Sequence, residues 1–345
     1  MNITKNTFGS TKNNEPCATY RMQNESGAYL DFTDYGCRIQ SICVPDKDGN
    51  LVDVNLGYRT LKEYEEDTFF LGAAIGRHAN RIGGASFTLN GKTYELEKNN
   101  HENHLHGGSV AFHNQVWETT LDGNKAVMYR KSPDGESGYP GNLDVWISYE
   151  WTEDNTLHII YEAACDQDTV LNVTNHAYFN LEGCQEHSIL EQELQIFSSE
   201  ITENDEYCLP TGVILPVENT PFDFRELKAI GQDINSDHKQ IACFGGYDHN
   251  FILEGESYRK VAVLQSKNNG IKMTCFTDQP GIQIYTSNFS APLNEKNGVS
   301  NISQASVCLE TQHFPNATNI SEFPSVILKA GTKFISKTSY SFETI

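Results

Sequence analysis

The sequence predicts an all-β protein, a large antiparallel β-sandwich with a few short helices. Short strand-like runs separated by turn signals fill most of the chain, whereas only two stretches have a helical pattern. No linker, internal repeat or low-complexity tract interrupts the 345 residues. We therefore expect a single domain spanning residues 1–345.

The elements follow from local patterns. Asp48-Gly49, Asn90-Gly91, Asp122-Gly123 and Asp154-Asn155 are turn signals, and Asn90-Gly91 predicts a hairpin because both residues accept positive φ. The segment from Val116 to Ala164 is predicted as strand, turn and strand. The other predicted strands are Tyr29–Phe32, Arg38–Val44, Leu51–Leu56, Phe87–Leu89, Lys92–Leu96, Asn250–Leu253, Lys260–Gln265, Ile271–Phe276, Ile282–Ser287, Ser306–Thr311 and Thr332–Phe342.

Three further segments complete this outline. Thr60–Asp67 and Phe222–Ile230 are predicted as short helices. Ser132–Asn142 is too rich in Gly and Pro for regular structure, and an ordered loop of this length often borders a site.

Charge limits the partners. The chain has 25 Lys and Arg residues against 46 Asp and Glu residues, a formal net charge of -21. That balance disfavours binding to nucleic acid, to anionic membrane surfaces and to phosphorylated substrates. We expect a neutral small molecule as the ligand.

Cysteine usage indicates a reducing compartment. The nine cysteines are an odd number and form no C-x-x-C pair, so free thiols are predicted. The first ten residues lack the pattern of a secretory signal, and no apolar run approaches the roughly 18 residues that span a bilayer. A cytoplasmic protein is expected.

The stretch Asn172–Leu181 has an unusual composition for a strand. Alternation places Asn172, Thr174, His176 and Tyr178 on one face, where hydrogen-bonding but uncharged groups replace the usual charged residues. Such a wall suits a pocket for a polyhydroxylated ligand. For His176 alone, a satisfied core histidine is an equally good interpretation.

Acidic and amide side chains elsewhere extend this chemistry. Alternation in Val307–Thr318 makes Glu310 a lone carboxylate in an apolar strand, which requires either a structural ion pair or a functional task. Asp248 shares a face with Asn250, and Gln283 shares one with Tyr285 and Ser287; these groups suit hydroxyl recognition. Asp248 as a turn residue is the alternative.

Closely spaced histidines raise the possibility of a metal. His101, His104 and His106 lie within six residues, as in some zinc sites. A carboxylate ligand is not obvious beside them, so we predict hydrogen bonding rather than a metal site.

Seven motifs occur in a fixed order along nearly the whole chain. They are GRHANRIGG at residues 76–84, NHLHGG at 103–108, SPDGESGYPG at 132–141, TNHAYFNL at 174–181, GYDHNF at 246–251, GIQIYTSNF at 281–289 and LETQHFPNA at 309–317. Together they resemble the motifs of the aldose 1-epimerase (galactose mutarotase) family.

The resemblance implies a β-supersandwich with an open cleft and a cofactor-free isomerase of free aldohexoses such as galactose or glucose. By resemblance, Glu310 is the general base, His176 the general acid and His106 a second active-site histidine. The implied substrate-binding residues are Asn80, Arg81, Asp248 and Gln283. No metal or other cofactor is implied, and we expect a monomer or homodimer.

The implied reaction needs a base for the C1 hydroxyl and an acid for the ring oxygen. We expect Glu310 as a carboxylate to raise the pKa of His176 by about one unit. Three alternatives are a hexose-6-phosphate 1-epimerase, a glycoside hydrolase using Glu310 with Asp248, and a non-catalytic carbohydrate-binding module.

Overall fold

The computed structural model describes residues 1–183, 188–288 and 303–345. The first strands are β1 Asn2–Ser10, β2 Pro16–Gln23, β3 Tyr29–Thr33, β4 Arg38–Pro45, β5 Leu51–Asp53, β6 Ala74–Ile75, β7 Arg81–Ile82, β8 Ser86–Leu89, β9 Lys92–Glu95 and β10 His104–Leu105. The next are β11 Glu118–Asp122, β12 Lys125–Ser132, β13 Leu143–Trp151, β14 Thr156–Cys165, β15 Thr169–Val170, β16 Thr174–Asn175, β17 Glu193–Ile196, β18 Glu200–Asn204, β19 Pro210–Pro216 and β20 Lys228–Ala229. The last are β21 Asp248–Ile252, β22 Arg259–Gln265, β23 Ile271–Thr277, β24 Gly281–Tyr285, β25 Cys308–Gln312, β26 Ile327–Leu328 and β27 Lys333–Thr344.

Three larger antiparallel sheets hold most of these strands, and the described residues also form four two-stranded sheets, β7 with β10, β6 with β16, β8 with β9 and β15 with β26. A nine-stranded sheet has the order β11-β12-β13-β14-β27-β23-β22-β17-β20. A five-stranded sheet runs β1-β2-β3-β4-β5, and a second five-stranded sheet has the order β19-β18-β21-β24-β25. The predicted all-β fold class is confirmed.

The core lies between the faces of these sheets. Strand β14 alternates buried and partly exposed residues, so that Leu157 and Ile159 point inward. Phe32 of the first sheet meets Tyr149 of the nine-stranded sheet edge to face, with ring centroids 5.4 Å apart. Tyr340 of β27 donates to the carbonyl of Leu309 in β25 at 2.7 Å. The nine-stranded sheet therefore packs against both five-stranded sheets.

Two local predictions are confirmed in detail. Strands β8 and β9 form the hairpin around Asn90 and Gly91, which have φ of 52° and 76°. The first helix, α1, spans Leu61–Glu65. Its N-cap Thr60 and Glu63 form a capping box, in which each side chain accepts from the other's backbone N–H.

Two other predictions are wrong. Phe222–Ile230 is not an α-helix: turns and bends lead from Phe222 into the short strand β20, and the N–H of Phe224 donates to the carbonyl of Phe222 at 2.8 Å. The second helix, α2, spans Lys239–Ala242 instead. Asn172–Leu181 is not one strand either, because only β16 and isolated bridges at residues 172 and 179 pair within it.

Eight of the nine cysteines lie in the described ranges, and all eight are free thiols; Cys184 lies outside the described residues. None of the helices in residues 1–183, 188–288 and 303–345 is long and apolar enough to cross a bilayer.

Candidate active site

One pocket brings six of the seven predicted site residues together. They are Asn80, Arg81, His106, His176, Asp248 and Glu310. The pocket has a volume of about 170 Å³, well below the roughly 300 Å³ at which pockets for drug-sized ligands begin. It is sized for one small molecule.

A larger open cleft of about 670 Å³ lies elsewhere, along residues 220–233. Both of its cations are already paired, Arg225 with Asp223 at 2.8 Å and Lys228 with Asp233 at 3.0 Å. It lacks the buried polar groups of the smaller pocket, which is therefore the candidate site.

Glu310 lies in the middle of β25, paired with Gln283 of β24. Its side chain is buried, and Oε1 lies 3.7 Å from Nε2 of His176. Oε2 has no hydrogen-bond partner among the described residues. A buried carboxyl with a free oxygen facing a pocket fits a catalytic task better than a structural ion pair.

His176 is held by its backbone and by its neighbours. Its N–H donates to the carbonyl of Ala73 at 2.8 Å, and its carbonyl accepts from Gly72 at 2.9 Å. The ring stacks on Tyr178, with centroids 4.9 Å apart and planes at 15°. The Sγ atom of Cys308 lies 3.5 Å from Nδ1, on the side of the ring away from Glu310.

Burial shifts both partners toward their neutral forms. It raises the pKa of Glu310 well above its usual range; the Asp248 carboxylate raises this pKa further and Arg81 lowers it. Burial lowers the pKa of His176 to about 4. The predicted rise in the pKa of His176 is therefore wrong, because desolvation of the ring outweighs the charges around it.

His106 is fixed in one tautomer. Its Nδ1 accepts the backbone N–H of Asn80 at 3.2 Å, so a neutral ring carries its hydrogen on Nε2. Its ring meets that of His176 edge to face at 5.4 Å. His106 is thus a hydrogen-bond donor to the pocket.

The same tautomer argues against a metal. Possible ligand atoms of His106, His176 and Glu310 lie within 4.8 Å of one another. Metal ligation by Nε2 of His106 would require that nitrogen to be unprotonated, yet the contact with Asn80 places the hydrogen there. His104, for which the sequence predicted a hydrogen-bonding role rather than a metal, has its Nδ1 within hydrogen-bond distance of the Glu97 carbonyl, at 2.8 Å.

The predicted substrate-binding residues divide into two groups. Asn80 and Arg81 line the pocket, and Nε of Arg81 donates to Asn100 at 2.9 Å. Asp248 also lines it, whereas Gln283 does not. The Gln283 amide instead donates to Oδ1 of Asp248 at 2.6 Å, which places it behind that carboxylate.

The aromatic wall of the pocket was missed from the sequence. Phe69 and Phe70 line it, and Phe70 has a φ of 59°. The loop that carries them is tied to Asp67, which accepts the backbone N–H of Phe69 and of Leu71 at 2.9 Å each. The available signal was the aromatic pair Phe69-Phe70, which ends six residues before the motif that begins at Gly76.

The Gly- and Pro-rich loop at residues 132–142 does not line the pocket, contrary to expectation. It is anchored by the buried Arg77, whose guanidinium donates to the carbonyls of Ser132, Pro133 and Pro140 at 2.8 to 2.9 Å. Its composition therefore reflects a backbone wrapped around an arginine.

Comparisons with known proteins identify the family of the chain. Residues 18–341 match the family model described as aldose 1-epimerase. The chain is 37% identical to the galactose mutarotase of Sus scrofa over 344 residues, covering 99% of each chain. It is 31% identical to the aldose 1-epimerase of Escherichia coli K12 over 333 residues, covering 95% of this chain and 96% of that one.

A solved structure of galactose 1-epimerase from Lactobacillus acidophilus superposes with a TM-score of 0.88 at 28% identity, covering 100% of this chain and 99% of that chain. The resemblance inferred from the seven motifs is confirmed across nearly the full length. The chain belongs to the aldose 1-epimerase family, whose members are isomerases that interconvert the anomers of aldoses.

Proposed function

We propose that this protein interconverts the α and β anomers of a free aldohexose such as galactose or glucose, with Glu310 as general base and His176 as general acid. The observation that carries this assignment is the carboxyl–imidazole pair of Glu310 and His176, 3.7 Å apart, in the wall of a pocket of about 170 Å³. Two groups of complementary protonation are what the reaction needs, and no cofactor takes part.

The proton balance is simple. Glu310 removes the proton of the C1 hydroxyl while His176 delivers one to the ring oxygen, and the C1–O5 bond breaks to give the open aldehyde. Rotation about C1–C2 presents the other face of the carbonyl. Ring closure then returns each proton along the same path, from the carboxyl to the C1 oxygen and from the C5 hydroxyl to the imidazole.

The shifted pKa values suit a shared proton. The pair takes up one proton well above pH 4.5, because burial raises the pKa of Glu310, and a second only toward pH 4, because burial lowers the pKa of His176. Between these limits one proton belongs to the pair. The form with ionised Glu310 and protonated His176 begins ring opening, and the neutral pair begins ring closure.

The remaining pocket residues position the sugar. We assign Asn80, Arg81, Asp248 and His106 to hydroxyl recognition, since all four line the pocket and together they supply donors and acceptors. Gln283 supports recognition indirectly through Asp248. Phe70, tilted against His106 with ring centroids 4.7 Å apart, supplies an apolar wall for sugar C–H groups.

A neutral sugar fits better than a sugar phosphate. Arg81 is the one Lys or Arg side chain among the described lining residues, and it shares the pocket with the carboxyl groups of Asp248 and Glu310. A phosphate would need a cluster of cations. This favours the free sugar over the hexose 6-phosphate.

We also infer a cytoplasmic location, which the eight free thiols support because such thiols persist in reducing compartments. For the assembly we propose a monomer or homodimer, to be checked by light scattering.

Polarimetry tests the function. Freshly dissolved α-D-galactose and α-D-glucose should reach their equilibrium rotation faster with the purified protein, and His176→Asn should abolish most of that acceleration. A carbohydrate-binding module would bind the sugar and leave the rate of rotation change at its uncatalysed value, which would refute the proposal.

A further inference from the structure

The imidazole of His176 is bracketed by two side chains of one strand. Cys308 and Glu310 lie two residues apart on β25, on the same face. The Sγ atom of Cys308 is 3.5 Å from Nδ1 of the ring, and Oε1 of Glu310 is 3.7 Å from Nε2. All three side chains are buried, with 0% exposure for Cys308, 2% for Glu310 and 5% for His176. Each ring nitrogen therefore faces its own buried side chain, Cys308 at Nδ1 and Glu310 at Nε2.

The two contacts differ in length. A neutral imidazole has one donor nitrogen and one acceptor nitrogen. The Sγ–Nδ1 distance of 3.5 Å is within reach of a hydrogen bond to sulfur, whereas Oε1 of Glu310 faces Nε2 at 3.7 Å, longer than a hydrogen bond. A thiol is a weak partner that can accept as well as donate. In the proposed reaction the nitrogen on the Glu310 side, Nε2, gives its proton to the ring oxygen, so the hydrogen that the neutral ring keeps is on Nδ1 and faces sulfur.

Stacking on Tyr178 fixes a different property of the ring. The near-parallel contact at 4.9 Å and 15° sets the plane of the imidazole. The Tyr178 hydroxyl donates to the carbonyl of Phe69 at 2.7 Å. The choice of tautomer is left to the groups that face the two nitrogens.

We propose that Cys308 is a positioning residue of the epimerase: its sulfur accepts the Nδ1–H of His176, so that Nε2 is the atom that exchanges the proton with the sugar. The inference rests on the proposed role of His176. In both protonation states of the ring the Nδ1 hydrogen stays on the sulfur side, and only the pocket-facing nitrogen gains and loses a proton.

The second histidine has the opposite arrangement. Nδ1 of His106 accepts the N–H of Asn80, so its Nε2 holds a hydrogen permanently and can only donate to the sugar. The two imidazoles, with centroids 5.4 Å apart, thus have different tautomers: the backbone N–H of Asn80 fixes that of His106, and the sulfur of Cys308 fixes that of His176. This explains why His176 and not His106 moves the proton.

Nitrogen-15 NMR of the full chain labelled at histidine tests the proposal. In the neutral wild-type protein His176 should give the pattern of an Nδ1–H ring, and His106 that of an Nε2–H ring. Cys308→Ala should shift His176 toward Nε2–H and lower kcat by about tenfold with KM within about twofold, the effect typical of losing a partner behind a functional histidine. Cys308→Ser retains an acceptor and should restore both readouts.

Cys275→Ala is the matched control. Cys275 is also fully buried in a strand, β23, but its strand partners are Ala262 and Tyr340, whereas the sulfur of Cys308 contacts His176. Its loss should leave the nitrogen shifts of His176 and kcat unchanged.

Two results would overturn the proposal: an Nε2–H ring for His176 in the wild-type protein, or wild-type shifts and kcat in Cys308→Ala. If the alanine variant does not fold, the wild-type spectrum still decides. Full activity in His176→Asn would instead refute the assignment of His176 as the acid, whatever the tautomer.

Discussion

Removing the charge of Asp67 should destabilise the protein more than removing the charges of Asp67 and Arg38 together. The two side chains form an ion pair, Nη1 to Oδ2 at 2.6 Å, with 0% exposure on both sides. Nε and Nη2 of Arg38 have no hydrogen-bond partner within the described ranges. In Asp67→Asn the guanidinium would therefore remain charged, dry and without its counter-ion.

The expected magnitude follows from that geometry. Breaking a buried ion pair on one side costs about 3–5 kcal/mol, a large share of the roughly 5–15 kcal/mol by which a domain is stable. The double variant Arg38→Met with Asp67→Asn leaves no unpaired charge. Its free energy of unfolding should lie within about 2 kcal/mol of the wild-type value.

Urea unfolding at pH 7 of the wild type, both single variants and the double variant measures the coupling. The exposed pair of Lys98 and Glu102 provides the control, since Lys98→Met should change the free energy of unfolding by less than about 1 kcal/mol. If the two single effects simply add in the double variant, the reasoning about the uncompensated charge is refuted.

The same variant should also affect the sugar. Asp67 accepts the backbone N–H groups of Phe69 and Leu71, which hold the aromatic loop against the pocket. We expect Asp67→Asn to raise KM more than it lowers kcat in a polarimetric assay. An effect confined to kcat would show that the loop does not position the substrate.

Three further outcomes follow from the buried titratable groups. Glu310→Gln and His176→Asn should each lower kcat about 10²–10⁴-fold in polarimetry with little change in KM; near wild-type rates would exclude either residue as acid or base. Because the second proton enters the pair only toward pH 4, kcat/KM should not fall as the pH is lowered through the ordinary histidine pKa of about 6.5 and should fall only toward pH 4; a loss of activity on lowering the pH through 6.5 would contradict the site's desolvation. Burial lowers the pKa of His78 to about 3, and neither of its ring nitrogens has a partner in the part of the chain that the structure describes. Below about pH 6.5 His78 therefore binds a proton in the unfolded chain but not in the folded chain. Its contribution lowers the free energy of unfolding by about 1.4 kcal/mol per pH unit down to about pH 4. His78→Leu should remove that share of the slope in urea titrations between pH 6.5 and 4.5, and an unchanged slope would argue against a neutral buried imidazole.

Local rules predicted the turns and the first helix because their causes are local. Positive φ at Asn90 and Gly91 and the capping box of Thr60 depend on neighbours only a few residues away. The site was predictable for a different reason. Each motif places unusual polar groups on apolar segments, and such groups need one another when buried.

The predictions that were wrong depended on contacts between residues far apart in the sequence. The alternation in Asn172–Leu181 identified the faces of His176 and Tyr178 correctly, but the backbone bonds of that segment go to loops, for example from His176 to Ala73. The direction of the pKa shift of His176 could not be read from its distance to a carboxylate, because desolvation depends on everything packed around the ring.

The position of β27 has a consequence for synthesis. This strand lies between β14 and β23 in the nine-stranded sheet, so residues 156–165 wait for a partner at residues 333–344. Until residue 344 has left the ribosome, two long strands keep open backbone donors and acceptors on facing sides. A chain that ended before β27 would therefore leave β14 and β23 as two exposed sheet edges, each able to pair with another chain.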